Sequence, residues 1–191
     1  YLSALNVTPS DRFLLTAGLA HDPVLRDILA PLLVGASVSI PDRRQWHDPR
    51  ALVDVIRTSS PTVLNLTPQL ARLLVAAAGG TVLESVTRIV LSGDVLRADD
   101  ISILRRAFPA ATLFHGYGLT QTPQLIALQP LTDDLTEPLI GPARPGAKLL
   151  VIDREGRPCG LGQPGEIVVH GQLLASGIPA PVIEPAREDG D

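Results

Sequence analysis

The sequence predicts an α/β domain, in which a parallel sheet is flanked by helices, followed by a small β-rich subdomain. Short apolar runs rich in Val, Ile and Leu alternate with amphipathic segments of helical length up to position 116. Parallel strands need crossover connections, which helices supply, so this alternation indicates a parallel sheet. Beyond position 126 the pattern changes, because glycines and prolines punctuate short strands and no further helix is indicated.

Local signals place the boundaries of the elements in the first part. Asp48 stands before Pro49 as an N-cap, and Gly79 follows a later helix as a C-cap. Predicted strands cover 12–18, 36–41, 62–67, 88–93 and 111–116, and predicted helices cover 23–35, 48–59, 68–78 and 97–108. Ligands of such sheets bind beyond the carboxyl ends of the strands, where the segments "LSGD" and "FHGYG" fall.

The chain divides into three predicted parts. Residues 1–125 form the α/β sheet subdomain. Residues 126–176 form the β-rich subdomain, with strands at 148–153 and 166–170 and a turn at "DREGRP". The Pro-rich, charged segment 177–191 is predicted to be a linker or tail.

Composition and charge exclude several classes of protein. Hydrophobic residues make up 45% of the 191, which suits a globular core, and the net charge of −4 argues against nucleic acid or an anionic membrane as a partner. The sequence has no apolar run long enough to span a membrane and no signal-peptide pattern at its start. The one cysteine, Cys159, excludes an internal disulfide and favours a cytoplasmic location.

Two residue types are nearly or wholly missing. The sequence has no methionine, so we expect it to be a piece of a longer chain. Lys148 is the only lysine among 16 lysines and arginines, and it stands at the start of a predicted strand, away from any glycine-rich loop. Chemistry that needs a lysine on a phosphate must therefore use Lys148 or a residue from elsewhere.

The segment "FHGYGLTQTPQ" at 114–124 has most features of a nucleotide-binding turn. Its glycines let backbone amides approach a ligand, Tyr117 offers a ring for stacking, and Thr120 offers a hydroxyl to phosphate. A carboxylate beside that threonine would hold Mg²⁺, but Gln121 is a neutral amide. The turn therefore has the residues for a nucleotide and lacks the one for its metal.

Five motifs follow one another along the chain. They are "GLAHDPVLRDILAPLLVGASVSIPD", "TVLNLTPQLARLL", "LSGDVL", "HGYGLTQTPQ" and "IGPARPGAKLLVIDREGRPCGLGQPGEIVVHG". Together, over roughly residues 8–176, they resemble the adenylation domains of nonribosomal peptide synthetases, members of the acyl-adenylate-forming superfamily. The first and third are most similar to the branch that includes aminoadipate reductases and some bacterial synthetases. The resemblance implies a parent enzyme that converts a carboxylic acid and ATP to an acyl-adenylate and passes the acyl group to a carrier-protein thiol.

The resemblance also implies roles for individual positions. Asp22 matches the aspartate that pairs with the α-amino group of the substrate. The substrate pocket is expected to be lined by Asp22, Pro23, Arg26, Asn65, Val90, Ser92, Gly116 and Gln124. The nucleotide is expected to contact Gly93, Asp94, Val95, Tyr117, Gly118 and Thr120, with Gln121 at the magnesium position. No residue is assigned a catalytic role.

Several of these assignments have simpler alternatives. Asp22 could instead be a helix N-cap ahead of Pro23, and Tyr117 could be an ordinary packed ring, although the other motifs favour the binding roles. Arg26 suggests an acidic or polar substrate, since a guanidinium pairs well with a carboxylate. It could also pair with Asp27 or face solvent.

Departures from the family pattern favour an inactive domain. The phosphate-binding loop expected before Tyr1, and the ribose-binding aspartate, hinge and lid lysine expected after 191, are absent from the sequence. Gln121 replaces the magnesium-binding glutamate, so no cofactor is expected for this chain, although the intact family uses ATP and Mg²⁺. We therefore expect a truncated pseudo-adenylation domain, held as a structural part of a synthetase beside condensation and carrier-protein domains of the same parent chain.

Two alternatives stay open. The chain could be the central part of a working adenylation domain that activates an amino or carboxylic acid, because a piece of such an enzyme would lack the same segments. It could also be an unrelated α/β binding module, which would make five ordered matches accidental.

Overall fold

The computed structural model describes residues 1–122, 124–132, 137–171 and 175, and its main feature is a six-stranded sheet. The strands are β1 (Arg12–Leu14), β2 (Ser37–Ser39), β3 (Val63–Leu66), β4 (Arg88–Ser92), β5 (Thr112–Tyr117), β6 (Ala127–Pro130), β7 (Ala147–Ile152) and β8 (Glu166–Gly171). The helices are α1 (Val24–Val34), α2 (Arg43–Trp46), α3 (Pro49–Ser59), α4 (Pro68–Ala78) and α5 (Ala98–Ala107). The large sheet has the order β2-β1-β3-β4-β5-β6, and β7 and β8 form a separate antiparallel pair.

The predicted fold class is confirmed by the pairing of the strands. The first five strands of the large sheet are parallel, and only β6 runs antiparallel to its neighbour β5. One face of this sheet packs against α3, α4 and α5 in a single apolar core, to which Ile56, Leu74 and Leu104 contribute from the helices and Leu64 and Ile89 from the strands. These five side chains are fully buried.

The opposite face of the sheet carries the polar residues of interest. Successive side chains of a strand point to opposite faces. Leu64 and Leu66 belong to the helix-covered core, so Asn65 between them faces the other way. By the same alternation Ser92 lies on that second face, at the carboxyl end of β4.

The helix ends follow the predicted capping signals. Asp48 caps α3, because its Oδ1 accepts from the amide of Arg50 at 2.9 Å. Gly79 ends α4 with a left-handed φ of 58°, and Gly35 ends α1 in the same way with a φ of 76°. These signals are local, and the structure confirms them.

Two elements were not predicted, and several strands are shorter than predicted, β1 most of all. The short helix α2 begins with a capping box formed by Asp42 and Gln45, and β6 adds an antiparallel edge to the large sheet. β1 ends at Leu14 and not at 18, because the amides of Thr16 and Ala17 donate to the side chain of a buried aspartate. Those two amides are therefore unavailable to a strand ladder.

The division into three parts stays a prediction. β6 lies in the large sheet although it follows residue 125, where the β-rich part was predicted to begin. The predicted tail, 177–191, lies outside the residues that the structure describes. Within the described ranges, no helix combines the length and the apolar character that crossing a membrane requires.

Candidate functional site

A cleft of about 460 Å³ opens at the carboxyl ends of the central strands. Its walls come from 16–18 and 21–23 after β1, from Arg26 in the first turn of α1, from 65–67 and Leu70, from 92–93, and from 118–121 and 124–125. This is the edge at which the parallel sheet was predicted to bind a ligand.

Asp27, in α1, ties three parts of the cleft wall together. Its side chain is fully buried. Oδ2 accepts from the amides of Thr16 at 2.9 Å and Ala17 at 3.0 Å, and Oδ1 accepts from Nδ2 of Asn65 at 2.7 Å. Burial raises the pKa of Asp27, and these hydrogen bonds oppose that rise. Because Thr16, Ala17 and Asn65 line the cleft, Asp27 fixes the wall without itself being part of it.

Asn65 extends this network to the start of the chain. Its Oδ1 accepts from the hydroxyl of Tyr1 at 2.6 Å, and its backbone carbonyl accepts from the hydroxyl of Thr16. A carboxylate can only accept, so Asn65 must turn its NH₂ group toward Asp27 and its oxygen toward Tyr1. Burial raises the pKa of the Tyr1 hydroxyl, which keeps it protonated as the donor.

Arg26 is a buried cation in the cleft wall, with only 5% of its surface exposed. Nη2 donates to Oγ of Ser92 at 3.2 Å, while Nε is buried without a hydrogen-bond partner. Burial lowers the pKa of Arg26, and the nearby Tyr1, Asp27 and Asp22 oppose that change. No carboxylate in the described part of the chain forms an ion pair with it. The two alternatives, pairing with Asp27 and exposure to solvent, are therefore both wrong.

Gln124 places a second unsatisfied atom in the same wall. Its Nε2 donates to the carbonyl of Asp22 at 3.2 Å, while its Oε1 is buried without a partner. Its backbone is in the left-handed region, with a φ of 59°, so the surrounding loop imposes the position. Leaving a buried polar atom unpaired costs roughly 1–3 kcal/mol. An incoming ligand that bonded Oε1 would recover that cost.

The segment 118–122 forms the open end of the cleft. Thr122 closes a turn, because its amide donates to the carbonyl of Leu119 at 2.9 Å and its Oγ1 accepts from the amide of Leu119 at 2.9 Å. Gly118 is required here, since a Cβ at this position would lie 2.2 Å from the carbonyl oxygen of Gln124. Thr120 and Gln121 follow, both exposed and both in the cleft wall.

The residues present do not fit a magnesium site. Gln121, at the position where the resemblance expects a carboxylate, is a neutral amide that lines the cleft. Mg²⁺ prefers carboxylate and phosphate oxygens. Across the described ranges, no group of three or more His, Cys, Asp or Glu side chains could hold a metal ion. Lys148, the only lysine of the sequence, is exposed on β7 and does not line the cleft.

The structure brings most of the predicted site residues together. The following predicted residues line the cleft: Asp22, Pro23, Arg26, Asn65, Ser92 and Gln124 from the substrate set, Gly93, Gly118 and Thr120 from the nucleotide set, and Gln121. Their roles in binding stay predictions. The N-cap position of α1 is held by Pro23, so the alternative assignment of Asp22 as the N-cap is wrong.

The other five predicted residues do not line the cleft. Val90 is fully buried in a cluster with Leu125, and a Cβ at Gly116 would lie 2.7 Å from Cδ1 of that leucine. Leu125 therefore covers both positions and forms the wall in their place. The remaining three stand beside cleft residues: Asp94 and Val95 are exposed after Gly93, and Tyr117 is half-buried before Gly118.

Several residues of the site were missed from the sequence. Thr16, Ala17 and Leu125 line the cleft, and Asp27 holds two of them in place. A readable signal existed only for Asp27, which is the one acidic residue of the helix "VLRDILAPLLV" and stands beside its one basic residue, Arg26, among apolar residues. A buried charge of that kind needs hydrogen-bond partners, which would have pointed to the chain near it.

The fold and cleft define a class of protein, an α/β domain with a cleft at the carboxyl ends of parallel strands, next to a glycine- and threonine-bearing turn. In this class, ligands bind at that edge of the sheet. The chain belongs to the AMP-binding enzyme family, whose model matches residues 2–178. This match confirms the resemblance to acyl-adenylate-forming domains that the five motifs indicate.

Individual relatives agree with the family. The L-2-aminoadipate reductase of Schizosaccharomyces pombe is 33% identical over 184 residues, which is 90% of this chain and 13% of that protein. A nonribosomal peptide synthetase, FmoA3, solved with AMPPNP bound, superposes with a TM-score of 0.80 at 28% identity, over 92% of this chain and 20% of that one. Holo-PA1221, a synthetase protein containing adenylation and PCP domains, superposes with a TM-score of 0.77 at 27% identity, over 89% and 30%.

Proposed function

We propose that this chain is a degenerate adenylation domain, which keeps the acid-binding end of the cleft but does not form acyl-adenylates. One observation carries the proposal: among the described residues, the open end of the cleft presents the neutral amide of Gln121 at the position where the resemblance expects a carboxylate. A triphosphate in a cleft needs Mg²⁺ and fixed positive charge to offset its own charge. A neutral amide does not supply the charge that holds this metal, so this end of the cleft is poorly suited to bind MgATP for reaction.

The role that remains for such a domain is structural, within a nonribosomal peptide synthetase. Its partners would be neighbouring domains of the same parent chain, namely a carrier protein and a condensation domain. Two relatives support this setting. PA1221 contains adenylation and PCP domains, and the PKS-NRPS hybrid synthetase acdB of Aspergillus candidus is 29% identical over 181 residues, which is 7% of its length.

The test is ATP–pyrophosphate exchange by the purified chain, with a panel of amino acids and simple carboxylic acids. We expect no exchange above a blank without protein, in a sample that unfolds cooperatively and is therefore folded. A working adenylation domain assayed in parallel controls for the reagents. Exchange that depends on one of the acids would overturn the proposal.

The second candidate is an acid-activating adenylation domain, and the buried end of the cleft favours it. In that reaction a carboxylate oxygen attacks the α-phosphorus of ATP, the new P–O bond forms, and pyrophosphate leaves. Asp27 and Asn65 hold the wall by hydrogen bonds of 2.7–3.0 Å. A domain with a purely structural role does not need a cleft wall fixed in this way. AMPPNP is bound in the FmoA3 neighbour, so its fold accepts a nucleotide. Acid-dependent exchange is the result that would select this candidate.

A further inference from the structure

The antiparallel pair of β7 and β8 is separate from the large sheet and has no buried core of its own. β7 carries the aliphatic run LLVI at 149–152, and β8 carries the run IVV at 167–169. None of the residues of the two strands is buried. A two-stranded hairpin without a packed face is only marginally stable in water. The pair therefore has apolar surface that a further strand could cover.

The outer edge of β7 is partly covered by the turn that follows it. The amide of Cys159 donates to the carbonyl of Val151 at 2.8 Å. The amide of Asp153, next to the end of β7, donates to the carbonyl of Arg157 at 2.9 Å. These backbone groups are occupied, so a strand from another chain cannot pair along this part of β7.

The outer edge of β8 is open. Val151 lies opposite Ile167, and Leu149 lies opposite Val169. Because the carbonyl of Val151 points away from β8, these are the non-hydrogen-bonded pairs of the ladder, and the backbone groups of Ile167 and Val169 point away from β7. Among the described residues, no backbone group outside the strands bonds to either of them. An edge of this kind is a template for another strand.

The sequence of β8 is complementary to itself in an antiparallel pair. The outward groups of Ile167 and Val169 must then form the hydrogen-bonded pairs. With Ile167 of one copy opposite Val169 of the other, Val168 lies opposite itself and Glu166 lies opposite His170. Registers shifted by two residues separate Glu166 from His170.

The paired register is favoured by charge as well as by shape. Glu166 and His170 are both exposed. A carboxylate can accept a hydrogen bond from the imidazole ring, and the ring can also carry the opposite charge. Two-fold symmetry makes this contact twice, at positions where facing side chains of an antiparallel pair are closest.

We propose that the open edge of β8 binds a second copy of this chain. The dimer has a continuous four-stranded antiparallel sheet in the order β7-β8-β8-β7. Its two-fold axis passes between the two Val168 residues, so the contact is closed and larger assemblies do not form. β8 does not line the cleft, so this inference is independent of the proposed function.

The first test is sedimentation velocity of the purified wild-type chain over a range of concentrations. We expect a reversible equilibrium between monomer and dimer. A folded chain that stays monomeric at every concentration would overturn the proposal, and so would assembly into open-ended oligomers.

An exchange of charge between two variants tests the register. His170→Glu places two carboxylates opposite each other at both contacts, so the Kd of the dimer should rise about tenfold or more. Glu166→Lys should also weaken its own dimer, because it loses both native contacts. A mixture of the two variants should restore the wild-type affinity, since the introduced lysine then faces the introduced glutamate and the second contact is the native pair.

Glu84→Lys is the matched control for charge. Glu84 is exposed in the loop between α4 and β4, outside both strands of the hairpin. This variant should dimerise as the wild type does, and its mixture with His170→Glu should show no recovery. Failure of the Glu166→Lys and His170→Glu mixture to recover, in folded proteins, would overturn the proposed register and with it the proposal.

Val169→Pro tests the backbone contact. Proline removes an amide that points outward and spares the ladder with β7, a position that an edge strand tolerates. We expect a folded monomer, with folding checked by the melting temperature. Dimerisation of folded Val169→Pro with wild-type affinity would place the contact elsewhere and overturn the proposal. If Val169→Pro does not fold, the charge exchange between exposed side chains carries the test.

Discussion

The two ends of the cleft are built differently. At the buried end, the fully buried Asp27 accepts hydrogen bonds from Thr16, Ala17 and Asn65, and Arg26 is 5% exposed. At the open end, Leu119, Thr120 and Gln121 are exposed, and Gln121 is a neutral amide. The comparison shows an ordered polar wall at the buried end and, among the described residues of the open end, no side chain that could offset the charge of a metal or a phosphate. This difference is the basis of the proposal that the open end does not hold Mg²⁺.

The largest effect is expected from removing the carboxylate that organises the buried end. Asp27→Ala leaves the amides of Thr16 and Ala17 and the NH₂ group of Asn65 without their acceptor. We expect the free energy of unfolding to fall by about 3 kcal/mol, because buried donors then lose their partner. Urea unfolding followed by circular dichroism measures the change.

The matched control for that variant is an exposed carboxylate that does not line the cleft. Asp94 is exposed and accepts from the amide of Val95 at 2.7 Å, next to Gly93 of the cleft. Asp94→Ala should change the free energy of unfolding by no more than about 0.5 kcal/mol. Equal losses for the two variants would show that the buried hydrogen bonds of Asp27 do not set its contribution to stability.

The pH dependence of stability gives a smaller and separate effect. Burial raises the pKa of Asp27 in the folded chain above its ordinary value of 3.8. The folded state therefore binds the proton more tightly, so this contribution to stability is complete below the ordinary pKa and is lost as the pH rises through the raised pKa. Asp27→Asn cannot titrate, so its free energy of unfolding relative to that of the wild type should rise between acidic and neutral pH.

Urea unfolding at several pH values measures that trend. Asp94→Asn serves as the control, and its profile should run parallel to that of the wild type. If the free energies of unfolding of Asp27→Asn and the wild type differ by the same amount at every pH, burial does not raise the pKa of Asp27.

The parallel sheet and the helix caps were predictable because their signals are local. Apolar runs mark the strands, and Asp48 and Gly79 mark helix ends within one turn of the residues they cap. The capping box of α2 was equally readable from Asp42 and Gln45, but a four-residue helix shows no apolar period. β6 lacked a signal of its own, since its antiparallel direction depends on how the chain returns to β5.

The residues of the site that lie within motifs were predictable, whereas those that are linked by contacts between distant parts of the sequence were not. The five motifs located Arg26, Asn65 and Gln124 in one cleft. The network that holds the wall joins Asp27 to residues 10, 11 and 38 positions away, so no local pattern could reveal it. Leu125 lines the wall where Val90 and Gly116 were predicted to do so, because its side chain covers both. The sequence does not show which side chain covers which, since that depends on how the chain packs.

The most direct test of the difference between the two ends is the effect of Mg²⁺ on ATP binding. The purified wild-type chain is titrated calorimetrically with ATP, with and without MgCl₂, and NaCl keeps the ionic strength constant. The account predicts no Mg²⁺-dependent binding: either ATP does not bind, or Mg²⁺ changes its Kd by less than about twofold. If Mg²⁺ tightens ATP binding by about tenfold or more, the open end still holds the metal, and the assignment as a degenerate domain is wrong.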